Sequence, residues 1–228
     1  MMLTVKQKAV LVQTINVFES GSVNGNYGCL VVYADGPHKM RQITYGKAQV
    51  TEYSNLYKLV FMYTENNGCY SAALQPYLDR IGVYPLVDDG NFKSLLIKAG
   101  KYDPIMKTVQ DTFFDTYYFI PAMQWAREYM FTLPLSALVI YDSFIHSGLV
   151  YYFLRSRFRE SPPVFGGDER EWVRQYVNAR EDWLEHHDNP ELHITTYRTQ
   201  LFKKEIARGN WDLSQLPIRT NGVNIYGK

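Results

Sequence analysis

Apolar residues in TVKQKAVLVQTINVFE recur at Val5, Ala9, Val12, Ile15 and Phe18, in steps of four and three. This is the spacing of one helix face. Thr4 can cap the start with Gln7 reaching back to it, and Gly21 stands where such a helix stops. The pattern then changes. Leu30, Val31, Val32 and Tyr33 form a β-branched and aromatic run bounded by Gly28 and Asp35-Gly36, which predicts a strand followed by a loop. PHKMRQ prolongs that loop, and ITYGKAQV reads as a second strand.

Beyond Thr51 helical periodicity prevails: SNLYKLVFMYT, SAALQPYLDRI, NFKSLLIKAG, a long stretch from Asp103 to Met130, LPLSALVIYDSFI from Leu133, and amphipathic segments around 168–186 and 190–208. Pro121 and Pro134 mark kinks or breaks. ESPPVFGGD, residues 160–168, reads as a mobile inter-helix loop. The expected class is α+β, mostly α, with one small sheet near the N-terminus.

With 228 residues, 46% of them hydrophobic, the chain suits one domain, 1–228, with a sizeable core in two lobes. Lys and Arg number 24 against 23 Asp and Glu, so no strong field draws the chain to nucleic acid or an anionic membrane. The stretch from Leu133 is too short to span a bilayer and carries Asp142. MMLTVKQKAV lacks the apolar core of a signal peptide, which leaves a removed signal, another export route or an intracellular location. Cys29 and Cys69 allow at most one bridge and read as buried thiols. Tyrosine, at 19 residues, suits both a core and a groove where rings pack on a ligand.

Two acids bear on chemistry. Glu19 falls in the last turn of the first helix, beside Ile15 and Phe18, where the helix dipole and desolvation disfavour its anion. Asp35, in a polar loop at a strand end, should stay ionised and could orient a water. Carboxyl groups in contrasting environments are the usual outfit for hydrolysing a glycosidic bond, although in a chain with 23 acids such placements also arise by chance.

The segment VFESGSVNGNYGCLVVYADG resembles the catalytic segment of the family 46 chitosanases, with Phe-Glu-Asn-Gly, then Tyr-Gly, then Asp-Gly-Arg-Gly-Tyr-Thr-x-Gly. Here the last element is DG, the insertion PHKM, and RQITYG. The likeness continues through VQDTFFDTYYFIPAM, VIYDSFIHSG, NARED and TYRTQLFKKEIARGNWDLSQLPIRTNGVNI. It implies Glu19 as general acid, Asp35 as general base and Thr44 as a residue holding the attacking water. Arg41 matches the motif arginine. Asp142, Arg180 and Arg198 match a buried acid and two arginines in a charge network reaching the catalytic glutamate. A tie between the last helices and the core is the alternative role for these three. Bidentate arginines suit such a carboxylate.

The resemblance also implies a lysozyme-like, two-lobed fold with a substrate cleft between the lobes, and an inverting endo-hydrolase of an amino-sugar polysaccharide, most simply the β-1,4 bonds of chitosan. No metal or organic cofactor is called for. The chain is expected to act as a monomer outside the cell, on polysaccharide, with no nucleic acid or membrane partner. Candidate substrate contacts are Arg41, Tyr33, Asn55, His146 and Gly148. Asn55 stands near the family's amine-binding aspartate, with Glu52 the nearest acid. The family's Gln-His-Gly appears as His146-Ser147-Gly148, so its histidine has moved or is lost. A peptidoglycan hydrolase and a non-catalytic glycan-binding protein remain open alternatives. Tyr27, Tyr33 and Tyr45 suit sugar stacking or core packing equally, and His186, His187 and His193 read as solvated rather than metal-binding.

Overall fold

A computed structural model describes residues 2–47 and 49–228. The chain runs through helix α1 (Val5–Ser20) and strands β1 (Leu30–Tyr33), β2 (Gln42–Tyr45) and β3 (Val50–Thr51). Helices α2 (Leu56–Glu65), α3 (Ser71–Leu74), α4 (Gly90–Tyr102) and α5 (Pro104–Phe114) follow. A π-helical turn, Asp115–Phe119, leads into α6 (Ile120–Glu128), α7 (Pro134–Ser147), α8 (Tyr152–Arg155), α9 (Glu169–Glu185), α10 (Pro190–His193) and α11 (Tyr197–Ala207). Strands β4 (Ile218–Thr220) and β5 (Val223–Ile225) end it. The fold is mostly helical with small antiparallel sheets. Its residues form two compact units, Asn24–Asp115 and the chain up to Val23 together with Thr116–Lys228. No helix among the described residues is long and apolar enough to cross a membrane.

In the unit Asn24–Asp115, β1, β2 and β3 pair antiparallel, with Val31 opposite Thr44 and Tyr33 opposite Gln42. Strand alternation sends Ile43 and Tyr45 into the core, both fully buried, and puts Gln42 and Thr44 on the other face. ITYGKAQV is therefore a hairpin and not a single strand, because the chain turns at Gly46, φ +76°. Ala48, within that segment, lies outside the described residues. The buried Glu52 carboxylate accepts from the N–H of Ile43 at 3.1 Å and of Leu86 at 2.6 Å, tying the sheet to the approach to α4. Both cysteines are free, and Cys69 is exposed rather than buried.

The insertion PHKM closes on itself. Gly36 N–H donates to Met40 O at 3.0 Å and Lys39 N–H to Gly36 O at 2.9 Å, so the extra residues form a tight turn. Strand β2 then starts in register with β1.

In the other unit, α1 begins and ends as its sequence predicts. Thr4 Oγ1 accepts from Gln7 N–H at 3.1 Å, Gln7 Oε1 accepts from Thr4 N–H at 2.9 Å, and Gly21 closes the helix at φ +69°. A cap of this kind contributes about 1 kcal/mol. The buried face differs from the expected stripe: Val10, Leu11, Ile15, Val17 and Phe18 are buried, whereas Val5 is 90% exposed. Both α7 and β5 pack on α1, which widens the covered face, and the first turn lies beyond that cover.

Pro121 does not end the helical run from Pro104 to Glu128 but follows its π-helical turn, Asp115–Phe119, an irregularity of the kind that accommodates a missing N–H, whereas Pro134 opens α7 after the extended Leu133. The segment 190–208 is interrupted because Thr195 and Thr196 hydroxyls donate back to Leu192 O and His193 O at 2.6 and 3.0 Å. The loop at 160–168 is tied down by Val164 N–H to Tyr129 O at 3.2 Å and by Asp168 N–H to Glu160 at 2.8 Å. The β4–β5 hairpin is a second sheet, beyond the single one expected near the N-terminus. Asn221 and Gly222, at φ +49° and +73°, make its turn.

Candidate active site

Helix α1 carries Glu19 in its last turn, with its side chain 14% exposed. Oε1 accepts from Arg198 Nη2 at 2.6 Å. The same guanidinium donates through Nη1 to Asp142 Oδ1 at 2.7 Å, and Asp142 Oδ2 accepts from Arg180 Nη1 at 2.6 Å. Arg180 Nη1 also reaches Ser143 Oγ at 3.3 Å, and Ser143 shares a 2.8 Å bond with the Tyr176 hydroxyl. Helices α1, α7, α9 and α11 thus each place one charge in a single array.

No arginine in this array is bidentate on one carboxylate. Arg198 instead bridges two carboxylates, and Asp142 divides its two oxygens between two arginines. Burial alone would raise the Asp142 carboxyl, but Arg180 and Arg198 outweigh it and hold Asp142 below its ordinary range. Arg198 also packs over the Phe18 ring at 5.0 Å, while the Tyr197 hydroxyl donates to Phe18 O at 2.9 Å. These contacts fix the turn bearing Glu19.

His146 lies one helical turn after Asp142 on α7, partly buried, with Nδ1 buried and unpartnered. Burial, then the charges of Arg198 and Arg180, push its imidazole down to about 3 against the pull of Asp142. Its ring is therefore neutral across the ordinary pH range. Gly148 caps α7 at φ +78°.

Asp35 is exposed in the loop after β1, and its Oδ1 accepts from Gln42 Nε2 at 2.9 Å. Gln42 is 5% exposed. Thr44, two residues along the same strand face, is equally buried and its hydroxyl has no partner. Arg41 pairs with Asp88 at 3.3 Å on the surface. Tyr33, at the end of β1, is 55% exposed.

Asn55 precedes α2 without making a side-chain cap bond, so its amide is uncommitted there. Tyr45 belongs to the core and donates to Leu96 O at 2.7 Å. Tyr27 donates to Asp111 at 2.9 Å beside Lys47, whose ammonium also reaches Asp111 at 2.6 Å. Among the described residues no group of three or more His, Cys, Asp or Glu could hold a metal ion.

Sequence reasoning missed Gln42, Ser143, Tyr176 and Tyr197. For Gln42 a signal existed in the strand pairing that sets it opposite Tyr33, two residues before Asp35. The insertion hid it.

A chitosanase of Bacillus subtilis (strain 168) is 26% identical over 239 residues, covering 97% of this chain and 83% of that protein. A Gynuella sunshinyii family 46 chitosanase, solved in complex with chitotetraose, superposes with a TM-score of 0.79 at 26% identity, over 98% of both chains. A native chitosanase from Bacillus subtilis MY002 has the same fold, with a TM-score of 0.81 at 23% identity over 97% of both chains. The model of glycosyl hydrolase family 46 matches residues 13–218, and the chain belongs to this family of glycoside hydrolases.

Proposed function

We propose that this protein is an endo-hydrolase of chitosan, cleaving β-1,4 bonds between glucosamine units with inversion at the anomeric carbon. The observation that carries the substrate is the match over 98% of both chains to a family 46 chitosanase solved with chitotetraose.

Glu19 protonates the glycosidic oxygen as its bond to the anomeric carbon breaks. Asp35 takes a proton from the water that attacks the opposite face. Proton loss from Glu19 creates a carboxylate against Arg198, and the array of Glu19, Asp142, Arg180 and Arg198 then carries balanced charge. Arg198 thus meets the charge that the step develops. Thr44 supports the water: its buried, unpartnered hydroxyl leaves a donor and acceptor on the strand face that also carries Gln42. Leaving such a group unsatisfied costs about 1–3 kcal/mol, which a bound water would relieve.

A polymer of this kind is met outside the cell, which supports an extracellular location, and a monomer holds every residue named. The test is hydrolysis of chitosan, chitin and cell-wall sacculi side by side, with the product anomer read by proton NMR. Cleavage of chitosan with first-formed α-anomer is expected. Cleavage of sacculi alone, or a β-anomer, would overturn the substrate or the inversion respectively.

A further inference from the structure

In the motif Asp-Gly-Arg-Gly the residue after the arginine is glycine; here it is Gln42. Gln42 is 5% exposed, sits on β2 opposite Tyr33, and donates from Nε2 to Asp35 Oδ1 at 2.9 Å. It is the side-chain donor to Asp35 among the described residues. Its Oε1 lies 3.5 Å from Tyr53 N, a long contact that faces the amide in one sense.

The neighbouring backbone is shaped to admit this side chain. A methyl group on Gly36, the residue after Asp35, would come within 2.8 Å of Met40 O, 3.3 Å of the Tyr53 ring and 3.4 Å of Gln42 Cδ. The turn of the insertion, closed by Gly36 N–H to Met40 O at 3.0 Å, holds the Asp35 end of the loop against β2. Arg41, one residue before Gln42, pairs instead with Asp88.

We propose that Gln42 is a positioning residue for Asp35. Its buried amide fixes Oδ1 and leaves Oδ2 to receive the proton of the attacking water. A neutral donor does this without cancelling the charge on which a base depends. The inference rests on the reading of Asp35 as the general base.

The test compares chitosan hydrolysis by the wild type, Gln42→Met, Asp35→Asn and the double variant, with folding checked by circular dichroism. Methionine keeps the length and loses the donor. Gln42→Met is expected to lower kcat about tenfold with KM within about twofold, and to have no further effect on the residual rate of Asp35→Asn. Wild-type kcat in folded Gln42→Met, a change in KM alone, or the same loss in both backgrounds would overturn the proposal. Should Gln42→Met fail to fold, Gln42→Asn, whose amide is one methylene too short to reach, carries the same expectations. Wild-type kcat in Asp35→Asn would instead overturn the assignment of Asp35 itself, so the two failures are distinct.

Discussion

Arg198 donates to Glu19 at 2.6 Å from a side chain that is only 5% exposed, and its other terminal nitrogen, Nη1, is committed to Asp142 at 2.7 Å. A group at the end of the first helix is thereby fixed by a residue near the end of the chain.

Arg198→Ala should destabilise the fold by about 3–5 kcal/mol, because it leaves buried Asp142 with Arg180 alone. Arg198→Lys should lose less, since an ammonium keeps the charge but lacks the fork that spans two carboxylates. Urea midpoints with unchanged slope measure both. An alanine variant as stable as wild type would show that the array contributes nothing to folding.

Glu19→Gln should keep the fold and lower hydrolysis of chitosan about 10²- to 10⁴-fold, the usual worth of a general acid. The amide preserves a contact for Arg198 but has no proton to deliver. Reducing-end assays beside melting curves check it, and retained activity in a folded variant would remove Glu19 from the acid role.

Acid stability should depend on His146. The unfolded chain binds a proton on this ring near pH 6.5, whereas the folded chain does so only at about 3. Between these values the unfolded state holds more protons, so stability falls as pH falls. Asp142 adds a separate loss at lower pH, because its lowered carboxyl stabilises the fold above the ordinary aspartate range and ceases to as pH drops through its folded value. His146→Gln should flatten the decline from about pH 6.5 to 4 and leave the later one. Denaturant titrations across this range, with parallel slopes for wild type and variant, would contradict it.

Asn55→Asp should sharpen preference for deacetylated chitosan. A carboxylate holds an ammonium by a charge-assisted bond, whereas an amide separates amine from N-acetyl poorly. Aspartate also suits the start of α2, so the fold should be undisturbed. Glu52 cannot substitute, because its carboxylate is occupied by the N–H groups of Ile43 and Leu86. Rates on polymers of graded acetylation decide the matter, and an unchanged preference in the variant would exclude Asn55 from amine recognition.

Local features were legible from the sequence. Thr4, Gln7 and Gly21 bound α1 because caps depend on neighbours within a turn, and Leu30–Tyr33 announced β1 by its residue types. The collinear motifs from VFESG onward pointed to the family and to Asp142, Arg180 and Arg198. The β4–β5 hairpin has a local signal too, Asn221-Gly222 between two short alternating runs.

Tertiary structure decided what depends on more than one segment. The buried face of α1 follows from the positions of α7 and β5, not from the spacing of its own apolar residues. One arginine spans Glu19 and Asp142 because α1, α7 and α11 meet, and periodicity within each helix carries no information about that meeting. Gln42 reaches Asp35 because the PHKM turn closes on itself and restores the strand register, so a hydrogen bond forms across residues that linear spacing had set apart.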